Sequence, residues 1–83
     1  MTYKLVYTRT AFQDIQKLDP IVKGKIKKKI ETYIQKPFHF AQKLTNSQIG
    51  TYRWRVGNYR IIFDVDREKI IILRIGHRRE IYK

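Results

Sequence analysis

The chain opens on Thr2-Tyr3-Lys4-Leu5-Val6-Tyr7, rich in β-branched and aromatic residues in rough alternation, a pattern that predicts a first strand over residues 2–7. Thr10 with Gln13 three positions later reads as a capping box, and Phe12, Ile15 and Leu18 then supply the apolar stripe of a short helix. Asp19-Pro20 ends that helix and begins the next, as an N-cap followed by a proline whose missing amide hydrogen costs nothing at the first helical position. Val22, Ile26, Ile30, Tyr33 and Ile34 recur at helical spacing until Lys36-Pro37, so the two segments are expected to form an αα-hairpin. Between Pro37 and Gly50, Phe38, Phe40 and Leu44 are expected against the core, with a turn at Thr45-Asn46-Ser47.

A three-stranded antiparallel meander follows, over roughly 51–56, 59–65 and 69–75, the last two strands joined around Asp66-Arg67-Glu68. Gly57-Asn58 has the glycine-first chemistry of a two-residue hairpin turn, which sets Val56 opposite Tyr59, Arg55 opposite Arg60, Trp54 opposite Ile61 and Arg53 opposite Ile62. Alternate strand residues point to opposite faces. Tyr52, Trp54, Val56, Tyr59, Ile61 and Phe63 therefore pack on the core, and Arg53, Arg55 and Arg60 share the other side. In the last strand Ile71, Leu73 and Ile75 are expected on one face, and Arg74 on the other with Ile70 and Ile72. The fold class that results is α+β: an N-terminal strand, an αα-hairpin and a meander, with helices on one sheet face and the other face open.

Charge sharpens this picture. Among 83 residues, 19 are Lys or Arg and 7 are Asp or Glu, a net charge of +12 that points to polyanions, nucleic acid first. The two cations are segregated. Lys23, Lys25, Lys27, Lys28 and Lys29 crowd the second helix, a pattern read as a solvated face, whereas arginine dominates the sheet and tail. Two guanidinium groups directly opposed across strands repel, and a sheet that keeps them is suited to holding an anion in their bidentate reach.

The length allows one domain with one modest core. No cysteine is present, which excludes a disulfide scaffold and fits a reducing cytoplasm, and His39 and His77 lack metal-ligand spacing, so neither metal nor cofactor is expected. The longest aliphatic run, Ile70 to Leu73, is too short for a membrane span, and a soluble protein is expected.

Taken together, the order of elements, Tyr52-Arg53-Trp54-Arg55-Val56-Gly57-Asn58-Tyr59-Arg60-Ile61-Ile62-Phe63, Ile72-Leu73-Arg74-Ile75-Gly76-His77-Arg78 and Glu80-Ile81-Tyr82 resemble the RelE/ParE superfamily of toxins over essentially the whole chain. The RelE branch is the nearer likeness. That resemblance implies a fold like that of small microbial ribonucleases, and a type II toxin that cleaves mRNA on the ribosome and pairs with an acidic antitoxin, with no membrane partner and no small-molecule cofactor. By position, Arg60 matches an arginine of the second hairpin strand that contacts the scissile phosphate, Arg78 matches the arginine after the glycine of the last strand, and Tyr82 matches a near-terminal tyrosine that helps deprotonate the 2′-hydroxyl. Arg53 and Arg55 stand where lysines are common, and they add charge without giving up a proton. Several relatives continue past the tyrosine as a short helix; here Lys83 alone follows, and fraying of Tyr82 in the free protein is expected.

The chemistry can be argued without the resemblance. Cleavage through the 2′-oxygen needs a base, positive charge around the phosphorane and an acid for the departing 5′-oxygen. Guanidinium groups at Arg53, Arg55, Arg60, Arg74 and Arg78 meet the second need, and a tyrosine among them could have its pKa lowered from about 10. His77 is either the proton donor or a local hydrogen-bonding residue. Glu80 is either a base or a surface partner of Arg78 or Arg79. Trp54 is read as core in preference to a base-stacking platform. Two rival readings stand beside the nuclease: a ParE-like inhibitor of DNA gyrase, and an inactive relative that only binds RNA.

Overall fold

A computed structural model describes residues 2–45 and 49–81. The elements are β1 (Lys4–Tyr7), α1 (Arg9–Gln16), α2 (Pro20–Tyr33), α3 (Pro37–Phe40), β2 (Gln42–Lys43), β3 (Tyr52–Val56), β4 (Tyr59–Asp66) and β5 (Lys69–His77). The strands form one sheet in the order β1-β5-β4-β3-β2. β1 runs parallel to β5 at one edge, a pairing that a two-helix crossover makes feasible and that local pattern does not disclose. The expected turn at Thr45-Asn46-Ser47 falls largely outside the described residues.

The hairpin register is the one expected: Arg55 faces Arg60, Trp54 faces Ile61 and Arg53 faces Ile62. Gly57 has a φ of +59°, the left-handed value that the first residue of such a turn demands and that glycine adopts without strain. At the β4–β5 turn Arg67 takes the same conformation (φ +57°) without that freedom.

One face of the sheet carries the core. Ala11 and Ile15 of α1 and Ile26 and Ile30 of α2 pack with Trp54, Ile61, Phe63, Ile70, Ile72 and Ile75 as one buried cluster. The Trp54 indole donates to the Pro37 carbonyl at 3.0 Å, and the Tyr33 hydroxyl donates to the Arg55 carbonyl at 2.9 Å, so α2 and α3 are tied to β3 by polar bonds as well as apolar contact.

Several expectations are corrected. The first helix is capped by Thr8, not Thr10: the Thr8 amide bonds Ile72 as the last rung of the β1–β5 ladder while its hydroxyl accepts the Ala11 amide at 3.1 Å. Starting there, the helix turns Ala11 inward and leaves Phe12 about half exposed. Pro37 begins a one-turn helix, and Phe38 and Phe40, expected against the core, stay nearly half exposed, in contact with Tyr3, Tyr52 and Tyr33 at its margin. In β5 a bulge falls at Leu73, because Ile62 pairs with Arg74 and Phe63 with Ile72. That extra residue restores the inward face for Ile75 after Ile70 and Ile72, and sends Arg74 to the side of Ile62.

The far face is also less open than expected. Ile62 is fully buried there, because the segment before β3 crosses it: a methyl added at Gly50 would lie 2.5 Å from Ile62 Cγ2 and 2.9 Å from Leu73 Cδ1, while the Thr51 amide donates to Asp64 at 2.7 Å.

Two measurements test this packing. Gly50→Ala should lower the free energy of unfolding in urea by about 1–3 kcal/mol through overpacking, whereas Gly24→Ala, on the open surface of α2, should raise it by about 0.5–1 kcal/mol. The second concerns Tyr7, whose phenol is pushed up from its ordinary value of 10.0, first by burial and then by the negative charge of Glu31. A raised folded-state value favours the neutral phenol, so this contribution is complete below pH about 10 and is lost as the pH rises through the folded value. Comparing wild type with Tyr7→Phe should show the extra loss of stability at alkaline pH only in wild type, and Glu31→Gln should lower the Tyr7 titration midpoint in ultraviolet difference spectra.

Candidate functional site

Arg53, Arg55 and Arg60 share the sheet face away from the helices because each sits one residue from an inward side chain: Trp54 between the first two, Tyr59 and Ile61 around the third. Their environments differ. Arg55 is exposed and has Tyr33 holding its own carbonyl from the other side. Arg53 is half-buried and donates to Oε1 of Gln42, its partner across β2–β3. Arg60 is 6% exposed. Its Nη1 donates to the carbonyls of Gly57 and Tyr59, each at 3.0 Å. Those carbonyl dipoles offset part of the repulsion that Arg60 meets from Arg55, and the same bonds brace the β3–β4 turn.

β5 supplies the neighbouring strand. Gly76 lies directly opposite Arg60, and the space its missing side chain leaves on that face is filled from the following turn. Beyond β5 the chain turns: Glu80 and Ile81 donate their amides to the His77 carbonyl, and Ile81 is buried with its side chain against Gly76. The Arg78 amide donates to the Asn58 carbonyl at 2.8 Å, which fixes Arg78 beside the β3–β4 turn, with an exposed side chain two residues along the ladder from Arg60. Tyr82 lies outside the described residues.

Arg74 and His77 are not grouped with this cluster. Arg74 makes a two-point ion pair with Asp14 of α1, Nε to Oδ2 at 2.8 Å and Nη2 to Oδ1 at 3.4 Å, and the same Oδ2 accepts the Ile75 amide at 3.0 Å. Asp14 thereby closes a length of β5 edge that β1 does not reach. His77 pairs with Tyr59 in register, and its ring stands nearly perpendicular to that of Tyr59, with centroids 5.5 Å apart. Tyr59 packs on the helix side, so strand parity puts His77 on the face opposite to the arginines. Its Nδ1 accepts the Arg79 amide at 3.1 Å, the local hydrogen-bonding role that was one of its two readings.

Sequence reasoning passed over Asp14 and Gln42, the polar partners of Arg74 and Arg53. Nothing in local spacing marks either one, since each partnership joins residues far apart in the chain. Among the described residues no group of three His, Cys, Asp or Glu side chains is placed to hold a metal ion, and no helix is long and apolar enough to cross a membrane. What the arginine cluster can do is bind an anion: charge-assisted donors on rigid strands, with the most buried of them pre-oriented by backbone carbonyls.

Comparison with known proteins bears on what that anion is. The family model described as ParE toxin of type II toxin-antitoxin system, parDE, matches residues 5–82. The chain is 31% identical over 86 residues to Toxin RelG of Mycobacterium tuberculosis, covering 100% of this chain and 99% of that protein. It is 32% identical over 83 residues to Toxin RelE3 of Methanocaldococcus jannaschii, covering 95% and 94%. Its fold is similar to a chain of the toxin-antitoxin complex RelBE2 from Mycobacterium tuberculosis, with a TM-score of 0.83 and 26% identity over 93% of this chain and 99% of that one.

The Asp14 bridge can be separated from the arginine cluster by stability measurements. Asp14→Ala should cost about 1–3 kcal/mol, because the Ile75 amide loses its acceptor in a site where the carboxylate is 12% exposed. Arg74→Ala should cost less than about 1 kcal/mol, since its 45% exposed side chain leaves water to solvate Asp14.

Proposed function

The chain belongs to the RelE/ParE superfamily of toxins from type II toxin-antitoxin systems, and on that premise we propose that it is a metal-independent endoribonuclease that cuts mRNA on the ribosome. The observation that carries the proposal is the gathering of Arg53, Arg55 and Arg60 on one sheet face, with Arg78 fixed at the same end through Asn58. In the reaction the 2′-oxygen bonds to phosphorus as the bond to the 5′-oxygen breaks, leaving a 2′,3′-cyclic phosphate and a 5′-hydroxyl. Tyr82, as its phenolate, takes the 2′-proton and becomes the neutral phenol, solvent supplies a proton to the departing 5′-oxygen, and the net charge of the phosphodiester is unchanged. Arg60 and Arg78 hold the phosphate, and Arg53 and Arg55 add positive charge where the phosphorane becomes more negative. The ribosome's part is to hold the substrate in line for attack, which a small site without a strong base of its own needs.

The partner implied by membership is an antitoxin. An acidic segment, disordered when free, suits a chain of net charge +12, and it would silence the site by covering the arginine face. The solved relatives that are chains of toxin-antitoxin complexes support that expectation. The ParE branch offers the competing reading, binding of gyrase without RNA cleavage, and the retained arginine set favours the nuclease over it.

Primer extension on a translated mRNA discriminates between them. Wild type should produce new 5′ ends only when ribosomes translate the message. Arg55→Ala and Arg78→Ala should each reduce them strongly, and Arg60→Ala by about 10²–10³-fold, the usual cost of removing a group that stabilises transition-state charge. Arg60→Lys, which can still donate to a turn carbonyl, controls for loss of the fold. DNA breaks or arrested topoisomerase in place of RNA ends would move the protein to the gyrase branch.

A further inference from the structure

A cleft of about 480 Å³ opens at the free edge of β5, between the end of α1 and the turn that follows His77. That volume is in the range of small-ligand sites. Its polar wall is made by Asp14, Lys17, Arg74, Glu80 and the rings of Tyr59 and His77. Gly76 and Ile81 form its floor, and Gly76 is the register partner of Arg60. The cleft therefore begins one cross-strand neighbour away from the most buried arginine of the anion site, although it reaches round the sheet edge toward the helix side.

The charges in the cleft argue against a second phosphate. Asp14 and Arg74 neutralise each other, which leaves Lys17 and Glu80, one of each sign, and two aromatic rings set nearly at right angles. The backbone adds directional groups. Arg78 bonds Asn58 across β4–β5, so by alternation the amides and carbonyls of residues 75 and 77 face outward at this edge, and Asp14 takes only the Ile75 amide. An acceptor at the Ile75 carbonyl, a donor at the His77 amide, a carboxylate, an ammonium and aromatic surface make a site for a flat neutral heterocycle with hydrogen-bonding edges. Taken with the reading above, on which this rests, we infer that the cleft receives the nucleobase next to the cleaved phosphate, and that Glu80 and Lys17 select which base is accepted. A carboxylate accepts from an exocyclic amino group, as on cytosine or adenine, and has no such partner on uracil. Stacking against Tyr59 or His77 supplies binding without regard to base identity.

Two experiments separate this inference from the nuclease reading. The first adds a trinucleotide carrying a 2′-O-methyl group at its central residue, which cannot be cleaved, and follows ring resonances of Tyr59 and His77 by NMR. Both should shift, and cytosine or adenine at the recognised position should bind at least about 5-fold tighter than uracil, a preference that Glu80→Gln weakens. The second maps the 5′ ends made by wild type, Glu80→Gln and Lys17→Met during translation. Each exposed variant should keep cutting but with an altered base distribution beside the cut. Unmoved Tyr59 and His77 signals, or variants that cut with the wild-type distribution, would overturn the inference and leave the nuclease reading standing. Base-selective shifts at Tyr59 and His77 in a protein that makes no ribosome-dependent cuts would uphold the cleft and remove the nuclease reading.

Discussion

The burial of Trp54 is the constraint from which the arginine face follows. The indole is fully buried, packs tilted against Phe63 with centroids 4.2 Å apart, and donates its one polar hydrogen to Pro37. A strand that places this side chain inward has no freedom over its neighbours, so Arg53 and Arg55 must point the other way. Gly57 passes the choice to β4. With a two-residue turn the register cannot slip without moving Tyr59, Ile61 and Phe63 out of the core, and Arg60 lands opposite Arg55. The cationic face is thus specified by apolar residues on the other side of the same strands.

Placing like charges opposite one another destabilises the hairpin, and the structure shows how that repulsion is reduced. Arg60 is buried, with its guanidinium turned to the carbonyls of Gly57 and Tyr59, so the turn that creates the pairing also supplies the compensating dipoles. Gly76 lies opposite Arg60, and Ile81 folds the following turn back onto that glycine, so the side chain on this side of Arg60 is an apolar one. Arg53 is held by Gln42 of the short edge strand β2. On the proposed function, an anion brought to this face meets charge-assisted donors carried on rigid strands.

Much of this was legible in the sequence because it depends on local rules. Period-two alternation and a glycine-first turn were enough to assign the β3–β4 register residue by residue, and Asp19-Pro20 marked the start of α2. The parts that were not legible depend on contacts between distant segments. The parallel β1–β5 pairing decides that Thr8, not Thr10, caps α1. The bulge at Leu73 decides which face Arg74 occupies, and Asp14, 60 residues away, decides what it binds. His77 illustrates the limit most clearly: residue type suggested a proton donor, whereas its register with Tyr59 puts the ring on the helix side. The coverage of Ile62 by the backbone at Gly50 likewise has no signature in either segment taken alone.

The most direct test of an anion site built by strand parity is to watch the guanidinium groups themselves. NMR spectra of arginine Nε–Hε groups, recorded as a short uncleavable single-stranded RNA is added, should show the signals of Arg53, Arg55 and Arg60 moving together while Arg9 and Arg67 stay in place. Unchanged signals from those three arginines, with perturbations centred instead on the lysine-rich surface of α2, would contradict the account.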